Sequence, residues 1–469
     1  DWWAVWIGLF VFVLALGLFA GMDVLGWGAT PKTWLTLDKS VAPVSKNYAA
    51  LPGILSLVLT YLFMLVITGV GAAAMKMNLQ RFAIGFTIIF WASFACWVVG
   101  NYAYIAATPD KLAGLKIPWS LGLTGESGYI LALLVGLIIG NFFPGVTNYL
   151  KEATRPEWYI KTAIVIMGAA LGVKAVEASG IALNVMFRGF AAIVEAYLIY
   201  WALVYFVSRK FFRFSREWAA PLASGISICG VSAAIATGGA IRARPVVAVM
   251  VSSLVVLFAV VELLILPFLA QNFLYTQPMV AGAWMGLAVK TDGAAVASGA
   301  ITDSLIRARA MTDLGVTFKE GWILMTTTTV KVFIDIFIGI WAFILALIWV
   351  YGIDKKPGEK VSPIVIWERF PKFVIGYFVT FLALFLLALA MPTLISTAKG
   401  VGSETNAFRQ LFFVLTFFSI GLVSNFRKLW EEGIGRLALV YLVCLFGFII
   451  WIGLVISFIF FNGVMPPTG

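Results

Sequence analysis

The chain has 469 residues, of which 62% are hydrophobic and only 12% charged. Because an ordinary soluble domain carries about 25% charged residues, this composition excludes a water-soluble fold. Histidine is absent, which excludes imidazole metal sites, histidine-based catalytic triads and histidine proton relays. The formal net charge is +11, but the basic residues lie in short loops between apolar segments, as membrane orientation signals do. We therefore expect a lipid bilayer as partner and no nucleic acid.

Apolar stretches of about 20 residues, long enough to cross a ~30 Å hydrocarbon layer as a helix, recur along the whole chain. They lack the period-two alternation of a barrel strand. The pattern predicts an all-α polytopic membrane protein of the prokaryotic inner (plasma) membrane, with about 13 transmembrane helices. In chain order the predicted segments are 2–21, 51–74, 82–107, 127–143, 159–172, 187–207, 218–240, 245–270, 279–300, 321–351, 373–391, 408–424 and 437–461.

The seventh and ninth segments contain small and polar residues at mid-span. A helix that is interrupted in the bilayer exposes backbone N–H groups and a positive dipole end, which together hold an anion without a metal or cofactor. We expect half-helices that start near Gly230 and Gly293 to face a common site. The alternative is close helix packing through small residues. Packing does not require the Lys290-Thr291-Asp292 cluster, since an ionisable residue at depth costs a few kcal/mol.

The candidate substrate-binding residues supply hydroxyl, thiol and backbone N–H groups together with one lysine and one aspartate. On this hypothesis the hydroxyl groups donate hydrogen bonds, the glycine N–H groups hold the anion, and the lysine supplies compensating charge. The aspartate could tune the lysine or carry a proton or cation. These residues are Ser227, Cys229, Gly230, Ser232, Lys290, Thr291, Asp292 and Gly293.

Four further ionisable residues are candidates for ion coupling or charge pairing: Glu195, Glu262, Lys331 and Asp335. Lys331 and Asp335 are four residues apart and share a helix face, so they could neutralise each other. Alternatively, Lys331 lines the same cavity as Lys290. Glu262 lies near a segment end and could reach the interface. Glu195 lies deeper, as a proton-carrying carboxyl or as a neutral group bonded to a neighbour.

Two strings carry a family resemblance. The first is Gly-Ile-Ser-Ile-Cys-Gly-Val-Ser-Ala-Ala-Ile-Ala at 225–236, and the second is Gly-Leu-Ala-Val-Lys-Thr-Asp-Gly-Ala-Ala-Val-Ala-Ser-Gly at 286–299. Over roughly residue 127 to the C-terminus the chain resembles the YeiH family of sulfate exporters, which is similar in architecture to cation/proton antiporters and bile-acid-type anion transporters. The resemblance implies a transporter core at 127–469, additional transmembrane helices at 1–126, and a homodimer.

The resemblance further implies two inverted five-helix repeats, discontinuous crossing helices and alternating access. A count of five plus five helices would place the breaks in the seventh and twelfth segments, although the ninth segment is interrupted more strongly than the twelfth. The sequence leaves open whether the ninth or the twelfth segment is the second interrupted helix.

The function expected from these observations is secondary active transport, exporter-like, of a small anion such as a sulfate-like oxyanion. The alternative is a cation/proton antiporter in which Asp292, with Glu195 or Asp335, is the titrating site. An enzyme acting on lipid-linked substrates is not expected, because the loop acids are scattered and no histidine is present.

Overall fold

The structure is a computed structural model that describes residues 2–107, 109–121, 125, 127–177, 179–353, 364, 367, 371–425 and 435–469. Within these residues the chain is almost entirely helical. In chain order the α-helices are α1 (Trp2–Ala15), α2 (Gly53–Ala74), α3 (Leu79–Gly100), α4 (Ala103–Ala106), α5 (Pro109–Leu115), α6 (Ser127–Phe142), α7 (Pro144–Leu150), α8 (Pro156–Glu177), α9 (Ser179–Val194), α10 (Trp201–Lys210), α11 (Arg216–Ser227), α12 (Val231–Ala240), α13 (Pro245–Phe273), α14 (Pro278–Ala288), α15 (Asp292–Leu314), α16 (Trp322–Ile336), α17 (Ile338–Leu347), α18 (Lys372–Ala390), α19 (Ile395–Val423), α20 (Gly435–Cys444) and α21 (Ile450–Phe461).

Short elements of other types join or extend these helices. Strands β1 (Ala29–Pro31) and β2 (Val41–Pro43) form a small antiparallel ladder in which Thr30 pairs with Ala42. The 3₁₀ turns are Leu16–Ala20, Leu37–Lys39, Lys46–Tyr48 and Pro392–Leu394, and the π-helical turns are Glu195–Tyr200, Ile348–Ile353 and Leu445–Ile449.

The predicted fold class, an all-α polytopic membrane protein, is confirmed. Within the described residues, 8 helices are long and apolar enough to cross a membrane, or 9 if α6 and α7, which are bent by 113°, form one span. The predicted number of 13 remains a prediction. The seventh and ninth predicted segments are each divided between two helices, α11 with α12 and α14 with α15, and none of these four is among the 8 helices.

The chain divides into two compact units. The first unit contains Asp1–Ala182, Arg307–Phe318 and Lys372–Ser424, and the second contains Leu183–Ile306, Lys319–Pro371 and Asn425–Gly469. The first unit therefore combines the three N-terminal long helices with α6, α8, α18 and α19. The second unit contains every candidate site residue predicted from the sequence.

Glycines let the helices of the first unit pack with their backbones in contact. A Cβ atom on Gly421 of α19 would overlap the carbonyl oxygen of Leu133 and lie 2.6 Å from the Leu137 nitrogen, both on α6. In the same way, a Cβ atom on Gly168 of α8 would overlap the Tyr377 carbonyl oxygen of α18. Membrane helices gain van der Waals contact by such close approach. Gly421 is thus a packing position inside a continuous helix, and the twelfth predicted segment, which the helix count had left open as a second interruption, is not interrupted.

Replacing Gly421 with alanine is expected to destabilise the protein. Alanine is the better helix former by about 1 kcal/mol, but here its Cβ would force α6 and α19 apart, at a cost of about 1–3 kcal/mol. The matched control is Gly145→Ala in α7, where an added Cβ would meet no atom within 4 Å. Thermal unfolding in detergent should show a lower Tm for the first variant only. An equal Tm for both variants would contradict the packing role.

In the second unit, α16 is fixed at its N-terminus by Asp303 of α15. The Asp303 carboxylate accepts backbone N–H bonds from Gly321 at 3.0 Å and from Ile323 at 3.0 Å. These N–H groups have no partner within the helix itself, so a carboxylate is the natural acceptor for them. This anchoring positions α16, which carries Lys331, beside α15.

Candidate site at two helical hairpins

The predicted interruption of the seventh segment lies where the sequence placed it, at Gly230, but the chain reverses direction there. The Ser224 and Thr237 hydroxyl groups lie 2.7 Å apart on opposite sides of the break. Farther from the break, the Arg244 backbone N–H donates to Glu217 at 2.8 Å. Helices α11 and α12 therefore form a helical hairpin, called here the first hairpin, and do not cross the membrane as one straight broken helix.

Backbone conformation explains why the first hairpin turns at this position. Gly230 has φ +71° and ψ −107°, a region that residues with a Cβ rarely adopt. Ile228, which directly follows α11, has the irregular values φ −106° and ψ −98°. The tip of the first hairpin is thus formed by residues 228–230.

The ninth segment also turns back on itself, as the contacts of Thr327 in α16 show. The Thr327 hydroxyl donates to the Gly282 carbonyl of α14 at 2.8 Å. A Cβ atom on Gly299 of α15 would lie 2.6 Å from that Thr327 hydroxyl oxygen. Gly282 and Gly299, which are 17 residues apart in the sequence, therefore lie on two sides of one side chain. We call α14 and α15 the second hairpin, with its tip at residues 289–291.

Thr291 and Asp292 shape the start of α15. The Thr291 hydroxyl accepts the Ala294 backbone N–H at 3.2 Å, which is the contact of a helix N-cap. Asp292 lies in the first turn, where a carboxylate is stabilised by the positive end of the helix. Gly293 follows in that turn. The predicted half-helix start near Gly293 is therefore at Asp292.

The two hairpin tips meet. A Cβ atom on Gly230 would come within 3.1 Å of the Lys290 carbonyl oxygen and 3.2 Å of Thr291 Cγ2. The ninth segment, and not the twelfth, is thus the partner of the seventh. The twelfth predicted segment lies inside α19, which is continuous from Ile395 to Val423.

Lys331 of α16 joins both tips. Its ammonium donates to the Ile228 carbonyl at 2.8 Å, with the Lys290 carbonyl at 3.4 Å and the Asp292 carboxylate at 3.8 Å. Ile228 follows α11 and Lys290 follows α14, so these carbonyls belong to the negative ends of two helices. A buried cation there satisfies acceptors that the interrupted helices leave open. Lys331 therefore lies with the two tips, and its ion-pair partner there is Asp292.

Lys290 is buried within the second hairpin. Its ammonium donates to the Leu287 carbonyl and lies 4.4 Å from the centre of the Tyr200 ring, a cation–π contact. Its backbone N–H donates to Glu262 Oε2 at 3.0 Å. Glu262 and Glu195 are both buried. Glu262 thus lies against the second tip and not at a segment end, and Glu195 begins the π-helical turn that ends at Tyr200, the ring next to Lys290.

A cluster of one thiol and two carboxyl groups lies on the Lys331 side of the site. The Cys229 sulfur and one carboxylate oxygen each of Asp292 and Asp335 lie within 4.8 Å of one another, all buried. Carboxylate and thiolate ligands could hold a cation, although the Lys331 ammonium already lies 3.8 Å from Asp292. The arrangement can therefore bind either a proton or a small cation in competition with the lysine.

The structure describes only one of the two predicted serine hydroxyl donors, Ser227 and Ser232. Ser227, at the end of α11, is buried, and its hydroxyl makes no hydrogen bond to any described residue. The side chain of Ser232 lies outside the described residues, although its backbone belongs to the first turn of α12.

Sequence reasoning missed Tyr200 and Asp303. Tyr200 ends the π-helical turn that begins at Glu195, and its hydroxyl donates to the Ile449 carbonyl at 3.0 Å. A buried aromatic residue at mid-span carries no signal that separates it from ordinary packing. Asp303 lies three residues beyond the predicted end of the ninth segment, 279–300, so it does not count among the ionisable residues within predicted helices, although α15 extends to Leu314.

Comparison with known proteins places the chain among membrane proteins. A family model described as conserved hypothetical protein 698 matches residues 117–440. A UPF0324 membrane protein of Nitrosomonas europaea is 45% identical over 472 residues, which cover 100% of this chain and 96% of that protein. One of Rhodopirellula baltica is 32% identical over 78% of this chain and 64% of its own length. An uncharacterised protein of Archaeoglobus fulgidus is 53% identical over 31% of this chain and 88% of its own length.

No solved structure matches the chain. The long apolar helices agree with the membrane-protein names of the relatives. The chain is therefore an integral membrane protein that belongs to the UPF0324 family, described by its family model as conserved hypothetical protein 698.

Proposed function

We propose that the protein is a secondary active transporter that moves a small anion, such as a sulfate-like oxyanion, by alternating access and releases it unchanged. The observation that carries this proposal is the meeting of two helical hairpins at their tips inside the second unit. Interrupted helices within a membrane domain are costly unless a ligand or a buried charge satisfies the exposed backbone groups.

The electrostatics of the tips favour an anion beside α12. Lys331 satisfies carbonyls at the negative ends of α11 and α14, and Asp292 occupies the positive end of α15. The positive end of α12 has no acidic residue in its first turn. An oxyanion there would take backbone N–H bonds from α12 and a hydroxyl bond from Ser227, whose hydroxyl is buried without a described partner.

The carboxyl groups around Lys290 would couple transport to protons. Glu195, Glu262 and Lys290 are all buried, so the number of charges they carry together is restricted by the low dielectric constant. Moving an anion through the site requires compensating positive charge, which protonation of one carboxyl would supply. The homodimer and the export direction implied by the family resemblance remain part of this proposal.

The second candidate function is cation/proton antiport. It is favoured by the Cys229, Asp292 and Asp335 group and by the excess of four buried carboxyl groups over two buried lysines at the site: Glu195, Glu262, Asp292 and Asp335 against Lys290 and Lys331. In this function the site exchanges a cation for protons and needs no anion.

Uptake measurements in proteoliposomes separate the two functions. Anion transport predicts saturable uptake of sulfate, or of an oxyanion that competes with it, driven by a pH gradient. Lys290→Met is expected to reduce that uptake at least about tenfold, because a buried charge-assisted interaction is worth about 1.5–3 kcal/mol. Lys319→Met, at an exposed lysine of the same unit, is the control.

Two results would contradict the anion proposal. One is unchanged oxyanion uptake in Lys290→Met. The other is a sodium or potassium flux that follows a pH gradient without added anion and is lost in Asp292→Asn, which would establish the antiporter instead.

A further inference from the structure

A cavity of about 410 Å³ lies in the first unit, apart from the hairpins. It is an open pocket, lined by the loop between α1 and α2 on one side and by the first turns of α19 on the other. Its lining is rich in oxygen atoms and includes two carboxyl groups. The lining residues are Leu18, Asp23, Val44, Ser45, Asn47, Ser396, Thr397, Gly400, Ser403 and Glu404.

Asp23 is held rigidly on the loop side of the cavity. Its carboxylate accepts hydrogen bonds from the Ser45 hydroxyl at 2.5 Å, the Asn47 side-chain amide at 2.8 Å and the Gly26 backbone N–H at 2.7 Å. Partial burial opposes ionisation, but the hydrogen bonds from Ser45, Asn47 and Gly26 lower the pKa of Asp23 below its ordinary value. Asp23 is therefore a fixed anion at neutral pH.

Glu404 faces Asp23 from the helix side. Its side chain is only 3% exposed, and its Oε2 atom accepts no hydrogen bond from any described residue. Asp23 and Glu404 both line the cavity. Thr397, Gly400 and Glu404 are spaced three and four residues apart, so they share one face of α19. A buried acceptor without a donor, next to a second carboxylate, requires a proton or a cation between the two groups.

We propose that this cavity binds a hard divalent cation of the Ca²⁺ or Mg²⁺ class, with Asp23 and Glu404 as its anionic ligands. Further oxygen ligands are available from the side chains of Ser45, Asn47, Ser396, Thr397 and Ser403. Hard cations prefer an all-oxygen ligand set, and two carboxylates match a divalent charge. The cavity is much larger than a bare ion, so several waters remain bound to it. No lysine or arginine is among the lining residues.

Such an ion would cross-link two parts of the first unit that are far apart in the sequence. Asp23 belongs to the loop after α1, whereas Glu404 belongs to α19. The site contains none of the hairpin residues, so it is independent of the transport proposal. Its expected effect is on the stability of the protein and on the order of the loop.

Calorimetric titration of the purified full chain in detergent tests the site, with CaCl₂ and MgCl₂ in separate experiments. The wild type is expected to bind one equivalent of at least one of the two ions. Its Tm is expected to rise with the concentration of that ion, because a ligand specific for the folded state stabilises it. Glu404→Gln, which keeps the shape of the side chain, is expected to weaken binding at least about tenfold.

The matched control is Asp38→Asn, at an exposed carboxylate of the same loop. It should leave the affinity unchanged. If Glu404→Gln fails to fold, Ser403→Ala serves as the second variant and is expected to weaken binding a few-fold. The proposal is overturned if the wild type shows no saturable binding of either ion, which would assign a shared proton to the pair, or if Glu404→Gln and Ser403→Ala bind as the wild type does.

Discussion

Lys331→Met is expected to lower the free energy of unfolding by about 3–5 kcal/mol, the cost of removing one partner from a buried ionic network. The lysine ammonium is the donor for the Ile228 carbonyl at 2.8 Å and lies 3.8 Å from the Asp292 carboxylate. Methionine fills a similar volume, so the decrease in the free energy of unfolding measures the loss of the charge and its hydrogen bonds and not the creation of a cavity. Denaturation in mixed detergent micelles, followed by tryptophan fluorescence, measures it.

Two further variants make the Lys331 result specific. Lys319→Met removes an exposed lysine of the same unit and should change stability by less than about 0.5 kcal/mol. Lys331→Arg keeps the charge but has a planar donor group, so it should recover only part of the loss. A Lys331→Met variant as stable as Lys319→Met would show that the carbonyls of the two tips do not depend on this cation.

Lys331→Met should reduce transport as well as stability if the hairpin tips form the binding site. Without the ammonium, nothing neutralises the carbonyls that follow α11 and α14, and the two tips would separate. Uptake should therefore fall in Lys331→Met even at temperatures where the protein remains folded. Uptake that persists in a folded Lys331→Met variant would leave the stability argument intact but would contradict the placement of the transport site.

The interruptions at the site could be predicted from the sequence because they depend on local residue types. Gly230 supplies the positive φ of the first tip, and the Lys290-Thr291-Asp292 cluster marks the second. The direction of the chain after each break could not be predicted. A segment of about 23 residues is long enough either to cross the bilayer once or to enter and return. The contacts that decide between the two, such as Ser224 with Thr237, are tertiary.

The partners of the buried charges were likewise beyond sequence reasoning. The spacing of Lys331 and Asp335 correctly placed both residues on one helix face, but the main acceptor of Lys331 is Ile228, 103 residues earlier. Gly421 shows a related limit. The helix count implied by the family resemblance left the twelfth segment open as a second interruption, whereas the structure uses Gly421 for close contact with α6. Glycine at a break and glycine at a packing surface are alike in sequence.

Gly230→Ala is expected to destabilise the protein by about 2–6 kcal/mol, from two sources. A residue with a Cβ pays about 1–3 kcal/mol in a sparsely populated backbone region, and Gly230 has φ +71° with ψ −107°. The added Cβ would also lie 2.5 Å from Val255 Cγ1 and 3.1 Å from the Lys290 carbonyl oxygen, an overpacking that costs about 1–3 kcal/mol. Because the clash separates the two tips, transport should be lost together with stability.

Gly238→Ala is the matched control for Gly230→Ala, since both glycines belong to the first hairpin. Gly238 lies inside α12, and an added Cβ would meet only Ala248 Cβ at 3.4 Å. Alanine is the better helix former there by about 1 kcal/mol, so this variant should be as stable as the wild type or more stable. Gly230→Ala should thus lower the stability, whereas Gly238→Ala should leave it unchanged or raise it. If both lower the Tm equally, the tip has no special backbone requirement.

A double variant separates the two costs of Gly230→Ala. Val255→Ala removes the Cγ1 atom that the new Cβ would meet, so the clash with Val255 disappears while the backbone strain remains. In a double-mutant cycle the two substitutions should then be less harmful together than the sum of their separate effects, by about 0.5–3 kcal/mol. Strict additivity would mean that the backbone conformation alone requires glycine, and that the contact between the first hairpin and α13 adapts to the added methyl group.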